Sequence, residues 1–176
     1  MKTFCKISLF SAVLSLLLIV SINTQAQDDK SKRPSPPDKV SGKAGEATVS
    51  IDYSKPSVKG RTVWGDLVPY GKVWRTGANE ATVFETDKDI MVEGKKLAAG
   101  KYSLFTIPNK DEWTIIFNSE PNQWGAYKYD ESKDVLRVNV KPAKSKEFTE
   151  QLTFKVSEKG HVKMLWENMM VAFSVK

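Results

Sequence analysis

The chain alternates apolar and polar residues over short runs, and turn-forming residues separate these runs. In the first such run, Val49, Ile51 and Tyr53 alternate with Ser50 and Asp52. A period of two is that of a strand with one buried face. Gly, Pro, Asn or Asp interrupts the sequence about every 8 to 12 residues, and no window shows an apolar stripe at helical spacing. This pattern predicts an all-β fold, most simply a single antiparallel β-sandwich, with a jelly-roll-like arrangement or a barrel as the alternatives.

Eight further runs have strand character. They are Thr82–Thr86, Ile90–Glu93, Lys101–Ile107, Trp113–Asn118, Val135–Lys141, Gln151–Ser157, Val162–Trp166 and Met169–Val175. The run Lys101–Ile107 carries apolar residues on both faces, which predicts a central strand with Leu104 in the core. Short helices near Gly65–Val68 or Glu131–Asp134 are compatible with the pattern.

The first 26 residues have the organisation of a secretory signal peptide. Lys2 and Lys6 precede an apolar run from Ile7 to Ile22, and a small residue, Ala26, follows at the expected cleavage position. The alternative is an uncleaved membrane anchor, since the run is not far short of a bilayer span. Cys5 precedes the apolar run, so the signal for lipid attachment is absent. The sequence therefore predicts cleavage after Ala26 and a periplasmic or secreted location.

Two segments follow the signal peptide. Residues 27–45 are rich in Lys, Asp, Ser and Pro, which predicts a flexible linker. Residues 46–176 are expected to form the β-sandwich domain. With Cys5 removed, the mature chain has no cysteine, so packing and hydrogen bonds must hold the domain together.

Charge and residue types exclude several function classes. The net charge is +6, and removal of the signal peptide leaves about +4. This charge is spread along the chain, so the sequence predicts no nucleic-acid partner, and no stable membrane insertion is expected after signal cleavage. Zinc sites need clustered nitrogen or sulfur ligands, whereas the mature chain offers the single histidine His161, so neither a metal nor another cofactor is predicted.

Serine hydrolase and nucleotide-binding chemistry are also disfavoured. A Ser-His-Asp triad would need His161 as its base, and no Gly-x-Ser-x-Gly elbow precedes it. The glycines Gly71 and Gly77 are not followed by the Lys-Ser or Lys-Thr of a phosphate loop.

Two loops are unusually rich in aromatic and ionisable residues, and they span Ile51–Arg61 and Val68–Thr82. Such loops commonly carry function on a rigid scaffold. We expect them to form one polar-aromatic pocket for a small molecule or a saccharide. The candidate ligand-binding residues are Asp52, Lys59, Arg61, Tyr70, Trp74, Arg75, Asn79 and Glu80.

Two other functions fit the same loops. A hydrolase or lyase would use Asp52 and Glu80 with a basic partner such as Arg75 or Lys59. A structural module would use the same charges as ion pairs, Arg75 with Glu80 or Arg61 with Asp52, to hold the loops on the sandwich.

The tryptophans can likewise either pack in the core or bind a ligand. Trp113 and Trp166 lie inside predicted strands, so we assign them to the core. Trp74 and Trp124 are open to either role, and with Trp64 and Tyr70 they are candidates for a platform on which sugar rings stack.

Several long strings resemble one bacterial exported family. The strings are DYSKPSVKGR, VPYGKVWRTGANEAT, LAAGKYSLFTIP and EWTIIFN, then Trp124-Gly125, and LWENMMVAFSV at the end. They resemble domain-of-unknown-function family 2911 (DUF2911) from about Val40 to Val175. The resemblance implies a secreted or periplasmic β-rich domain. It implies no reaction, substrate, cofactor or catalytic residue.

Export should leave a mature chain that begins at Gln27, because signal peptidase cleaves after a small residue that follows the apolar run. Intact-mass measurement of the protein purified from the periplasmic fraction checks this. Recovery of a chain that retains Met1 in the membrane fraction would support the anchor instead.

Overall fold

The computed structural model describes residues 29–176 as a nearly all-β domain. Its strands are β1 (Pro37–Ala44), β2 (Ala47–Ser54), β3 (Thr82–Thr86), β4 (Ile90–Val92), β5 (Lys95–Leu97), β6 (Gly100–Ile107), β7 (Trp113–Asn118), β8 (Asp134–Val140), β9 (Ala143–Ser157) and β10 (His161–Ser174). Two single-turn 3-10 helices occur at Lys30–Lys32 and Glu131–Lys133. The signal peptide predicted for residues 1–26 lies outside the described residues. Among the residues from 29 onward, no helix is long and apolar enough to span a bilayer.

The strands form one large antiparallel sheet and two small ones. The large sheet has six strands in the order β1-β2-β3-β6-β7-β8, and β9 with β10 forms a long two-stranded ribbon. A third pair, β4 with β5, joins the ribbon through a bridge between Val92 and Val175. The large sheet is not closed into a barrel, so the predicted antiparallel sandwich is confirmed and the barrel alternative is wrong.

The core lies between the large sheet and the ribbon. Leu104 and Phe117 from the sheet are almost fully buried, as are Leu152 and Val171 from the ribbon. We call the sheet face toward the ribbon its inner face. The opposite, outer face carries a smaller apolar cluster of Ala81, Phe105 and Ile116. Since β6 is the fourth strand of six and has both faces covered, its predicted central position is confirmed.

Four tryptophan rings meet inside the core. Trp64 lies 5.1 Å from Trp113, 5.6 Å from Trp166 and 6.0 Å from Trp74, all edge to face. Trp74 stacks on Trp166 at 5.9 Å and donates its indole N–H to the carbonyl of Gly77. The indole nitrogens of the other three rings have no hydrogen-bond partner among the described residues. In edge-to-face packing, an indole N–H can point at the face of a neighbouring aromatic ring, which partly replaces a hydrogen bond. The core assignment of Trp113 and Trp166 is confirmed.

The predicted linker 27–45 is wrong over its second half, because Pro37–Ala44 forms β1 and pairs with all of β2. Its alternating exposed and half-buried residues belong to an edge strand, which needs few apolar residues. At the other end of the chain, the two runs predicted for residues 162–166 and 169–175 are one strand, β10, with an irregularity at Glu167. Glu167 has a φ of 56°, so it bends the strand without ending it.

Of the two predicted short helices, Glu131–Lys133 forms a 3-10 turn and residues 65–68 form none. Gly65 and Val68 are instead linked by a backbone hydrogen bond of 2.9 Å within a turn.

Truncation of Leu104, which is 1% exposed, should leave a cavity between the sheet and the ribbon. We expect Leu104→Ala to lower the free energy of unfolding by about 2 to 5 kcal/mol. The matched control is Leu67→Ala, since Leu67 is 40% exposed and its truncation should change stability by only about 0.5 kcal/mol. Urea unfolding measures both. Equal losses in the two variants would contradict the placement of β6.

Candidate functional site

The β2–β3 loop (residues 55–81) crosses from the ribbon to the large sheet. The loop residue Val58 donates a backbone hydrogen bond to the carbonyl of Glu150 on β9, and Leu152 of β9 donates one to the carbonyl of Pro56 in the loop. Further along, Trp74 pairs with Thr106 of β6 through two backbone hydrogen bonds of 2.7 and 2.9 Å. The loop is therefore fixed to both layers.

A tight turn after Trp74 brings the chain back toward β3. Thr76 and Asn79 both have positive φ, 55° and 57°. Gly77 between them is needed for space, because a Cβ there would lie 2.9 Å from the hydroxyl of Thr82 and 3.2 Å from the carbonyl of Ser54. As a result, Glu80 lies on the outer face of the sheet beside the end of β2.

The β7–β8 loop (residues 119–130) covers part of the outer face and is tied down by buried polar groups. Asn118 is fully buried and donates to Asp134 at 2.8 Å, while its own oxygen accepts from Gln123 at 3.2 Å. Asp134 also accepts hydrogen bonds from Tyr129 and Arg137. Burial and the bond to Asp134 raise the pKa of Tyr129 to about 12, so its hydroxyl stays a donor. This network fixes the loop that carries Trp124 and Tyr127.

The two loops pair with each other. Ala81 donates a backbone hydrogen bond to Gln123 at 2.9 Å, and Gly125 donates one to Asn79 at 3.1 Å. This pairing places Trp124 next to Glu80.

A groove runs along the outer face between these loops and the sheet. We call it the outer-face groove, and it consists of three adjoining sections of about 250, 340 and 470 Å³. The first section lies over Asp52 and the last lies beside Tyr127, and adjacent sections share wall residues. Its principal lining residues are Asp38, Asp52, Glu80, Val83, Asn122, Gln123, Trp124 and Tyr127. Trp124 is 57% exposed and Tyr127 is 86% exposed, so two large aromatic side chains face solvent here.

The segment Asp29–Pro36, which precedes β1, packs beside the groove. Lys30 pairs with Glu80 at 2.9 Å, and Arg33 donates two hydrogen bonds of 3.1 Å to the same carboxylate. The Arg33 guanidinium also lies over the ring of Trp124, 5.8 Å from its centroid. The side chain of Asn79 donates to the carbonyl of Ser35 at 2.9 Å. This segment therefore braces Glu80 and Trp124, which a freely flexible linker would not do.

The electrostatics keep Glu80 ionised. Burial disfavours the charged carboxylate, but hydrogen bonds from Lys30, from its own backbone amide and from Arg33 outweigh burial and lower the pKa of Glu80 to about 2. Asp52 pairs with Lys39 of β1 at 3.0 Å. Both carboxylates therefore have cationic partners at the first section of the groove.

Among the predicted site residues, Asp52 and Glu80 line the same section of the groove. Asn79 lies beside it and bonds the N-terminal segment. Trp74 is 8% exposed and belongs to the core cluster, whereas Trp124 is the tryptophan that faces the groove.

The structure places three other predicted residues elsewhere. The backbone N–H of Lys59 donates to Glu150 of β9 at 2.9 Å. Arg61 donates to the carbonyls of Val58 and Ser57 close by in sequence. Tyr70 packs over Gly65. The two loops therefore do not converge on one pocket, and only parts of each reach the groove.

Arg75 has an unusual environment. Within the described chain it has no ion pair, and its Nε is buried without a hydrogen-bond partner. Burial lowers the pKa of the guanidinium, against a smaller opposing effect of Tyr127.

The ion pairs predicted for a structural module, Arg75 with Glu80 and Arg61 with Asp52, are wrong. Glu80 pairs instead with Lys30 and Arg33, and Asp52 pairs with Lys39.

Sequence reasoning missed Tyr127, Asn122 and Gln123 as groove residues. They lie in a stretch without strand periodicity, and the Asn, Gly and Pro around them are ordinary loop residues. The useful signal was a pair of aromatic residues, Trp124 and Tyr127, in a segment otherwise too polar to belong to a core.

The described part of the chain contains no group of three or more His, Cys, Asp or Glu residues suited to a metal. His161 is exposed at the β9–β10 turn.

A family model described as "Protein of unknown function (DUF2911)" matches residues 35–175. No curated protein and no solved structure matches the chain.

Glu80 should stabilise the fold only in its ionised form. Its pKa is lower in the folded chain than the ordinary value of 4.5, so this stabilisation is complete above that value and is lost as pH falls toward about 2. We expect Glu80→Gln to lower the free energy of unfolding at pH 7 by about 1 kcal/mol, since solvent screens a pair that is more than one-third exposed.

Urea unfolding at pH 7 and near pH 2 measures this difference, which should shrink at the lower pH. The control is Glu147→Gln, at an exposed glutamate without an ion pair in the described chain. A loss in Glu80→Gln that is the same at both pH values would contradict the role of the ionised carboxylate.

Proposed function

We propose a function from the groove itself, since the chain belongs to the DUF2911 family, whose description names no activity. The proposal is that the domain binds a saccharide in the outer-face groove, with sugar rings stacked on Trp124 and Tyr127. The observation that carries it is the exposure of these two aromatic side chains along the wall of a groove that also offers carboxylates and amides.

The chemistry of the lining residues suits sugars. The apolar faces of a pyranose ring pack on aromatic rings, and its hydroxyl groups donate to carboxylates and to amide oxygens. Trp124 and Tyr127 supply the first kind of contact, and Asp52, Glu80 and Asn122 supply the second. The three sections together reach the size of a small-molecule site and are elongated, which favours an oligosaccharide over a single sugar.

A rigid platform favours binding, because little entropy is lost when the ligand docks. Arg33 covers one face of Trp124 by a cation–π contact, and the backbone pairing of Glu80 with Trp124 fixes the main chain that carries the ring. Gly125 has a φ of 65°, and a Cβ at this position would lie 2.9 Å from the ring of Tyr127. The turn between the two aromatic residues therefore depends on this glycine.

Hydrolysis is the less favoured alternative. A glycosidase needs one carboxylic acid that is protonated at working pH, and such acids have raised pKa values. Glu80 has its pKa lowered to about 2 by its hydrogen bonds, in spite of burial. Lys59, the other proposed basic partner, lies by β9. If the predicted signal peptide directs export, the binding site faces the periplasm or the medium.

Trp124→Ala should weaken saccharide binding by about 30-fold or more, the loss expected of a central aromatic anchor. Isothermal titration of a panel of soluble oligosaccharides measures the affinity. Fluorescence provides a second readout, because the other four of the five tryptophans pack in the core cluster and only Trp124 is strongly exposed.

The matched control is Phe148→Ala, which removes an aromatic side chain of similar exposure, 55%, on β9 outside the groove. This variant should bind as the wild type does. Absence of binding to every oligosaccharide of the panel, or equal affinity in Trp124→Ala and wild type, would overturn the proposal and favour a structural module.

A further inference from the structure

The N-terminal segment (Asp29–Pro36) reaches the outer-face groove through two cations. Lys30 lines the first section of the groove and pairs with Glu80 at 2.9 Å. Arg33 is not a lining residue of the three sections, but it contacts two residues that are, Glu80 and Trp124. The segment therefore acts on the groove through the side chains of its wall.

Arg33 connects two loops. Its Nη1 group donates to both carboxylate oxygens of Glu80 at 3.1 Å, and its guanidinium carbon lies 5.8 Å from the centroid of the Trp124 ring. Glu80 belongs to the β2–β3 loop and Trp124 to the β7–β8 loop, and both line the middle section of the groove. A guanidinium can make both contacts at once, since its edge donates to a carboxylate while its face packs on an aromatic ring. Arg33 thus ties together the two loops that line this section.

The Trp124 ring needs a contact of this kind. The bridge between Glu80 and Trp124 fixes the main chain, but Trp124 is 57% exposed, and exposed side chains change rotamer within nanoseconds. A contact that holds the ring in one orientation reduces the entropy that is lost when a ligand docks on it. The cation–π contact of Arg33 restrains the ring in this way.

The attachment of the N-terminal segment is mainly polar. No residue of the 3-10 helix Lys30–Lys32 is buried. Next to β1, Pro36 accepts a backbone hydrogen bond of 2.9 Å from Lys55, and ahead of that point the segment is held to the groove by the pairing of Arg33 with Glu80. Ion pairs that solvent reaches are weak and are screened by salt. Release of the segment therefore costs little free energy compared with unfolding of the sandwich.

We infer that the N-terminal segment regulates the groove as an electrostatic clamp, with Arg33 as the positioning residue. In the docked state, Arg33 holds Trp124 and Glu80 in the arrangement that receives an oligosaccharide. When salt or a substitution releases the segment, the ligand must also order the Trp124 ring, so the affinity falls. This inference rests on the proposed saccharide groove. It makes residues that precede the family match, which begins at residue 35, part of the site.

Acrylamide quenching of tryptophan fluorescence tests the clamp without a ligand, because Trp124 is the strongly exposed tryptophan. In Arg33→Gln the Stern–Volmer constant should rise above that of the wild type, since one face of the ring loses its cover. The matched control is Lys32→Gln, which removes one charge from the same segment. The Lys32 side chain is 83% exposed and pairs with Asp29, so this variant should be quenched as the wild type is.

Salt provides a second test of the clamp by the same readout. In about 1 M NaCl, where the screening length is about 3 Å, quenching of the wild type should approach that of Arg33→Gln. Quenching of Arg33→Gln itself should change little, because its clamp is already released.

Isothermal titration with neutral members of the oligosaccharide panel measures the effect on binding. Arg33→Gln should weaken binding by about tenfold, as expected when a ligand must order an aromatic side chain and its loop contact. Arg33→Lys keeps the charge but not the planar fork, so its affinity should lie between those of Arg33→Gln and the wild type. Lys32→Gln should bind as the wild type does.

The outcomes can be told apart. Quenching and affinity that are the same in Arg33→Gln as in Lys32→Gln would overturn the clamp and leave the saccharide groove standing. Weaker binding with unchanged quenching would show that Arg33 contacts the ligand directly, and increased quenching with unchanged affinity would show that the ring's restraint does not govern binding. Either result would also overturn the clamp. Absence of binding to every oligosaccharide in the wild type would overturn the proposed function, and the regulatory role with it.

Discussion

Contact among four tryptophan rings is the interaction on which the rest of this domain depends. Trp113 comes from the large sheet and Trp166 from the ribbon, and the β2–β3 loop contributes Trp64 and Trp74. A connection as long as residues 55–81 loses much backbone entropy when it is ordered, and burial of two indole rings offsets that loss. Because Trp74 is held in the core, its neighbour Arg75 is directed to the outer face, and the turn that follows delivers Glu80 to the groove. The packing inside the sandwich thus sets the positions of polar groups outside it.

The outer face is organised differently from the core, through hydrogen bonds and charge. The β7–β8 loop is held by Asn118 and Asp134, which satisfy several donors each in a region of low exposure. These hydrogen bonds hold the loop in one well-defined position. On this side of the sheet, the Nε of Arg75 and the Oε1 of Gln123 are buried without a hydrogen-bond partner in the described chain.

The segment Asp29–Pro36 lies beside the groove that we propose as a binding site. Its cations neutralise Glu80 and cover one face of Trp124, and so the acidic end of the groove carries less net negative charge than its carboxylates alone would give.

The sequence by itself determined the all-β class, the central strand around Leu104 and the burial of Trp113 and Trp166, because period-two alternation and strong apolar runs are local properties of the chain. It also identified Asp52, Glu80 and Arg75 as unusual from their loops. Only the tertiary structure decided which cations pair with Asp52 and Glu80. The edge strand β1 could not be read from its polar composition, since an edge strand gains its stability from pairing with β2. The ion pairs of Glu80 join residues 47 and 50 positions apart in sequence, and Trp124 meets Glu80 across another long separation. Such contacts depend on how the loops fold back over the sheet, and a sequence pattern records the character of each residue but not the residue that it will meet in space.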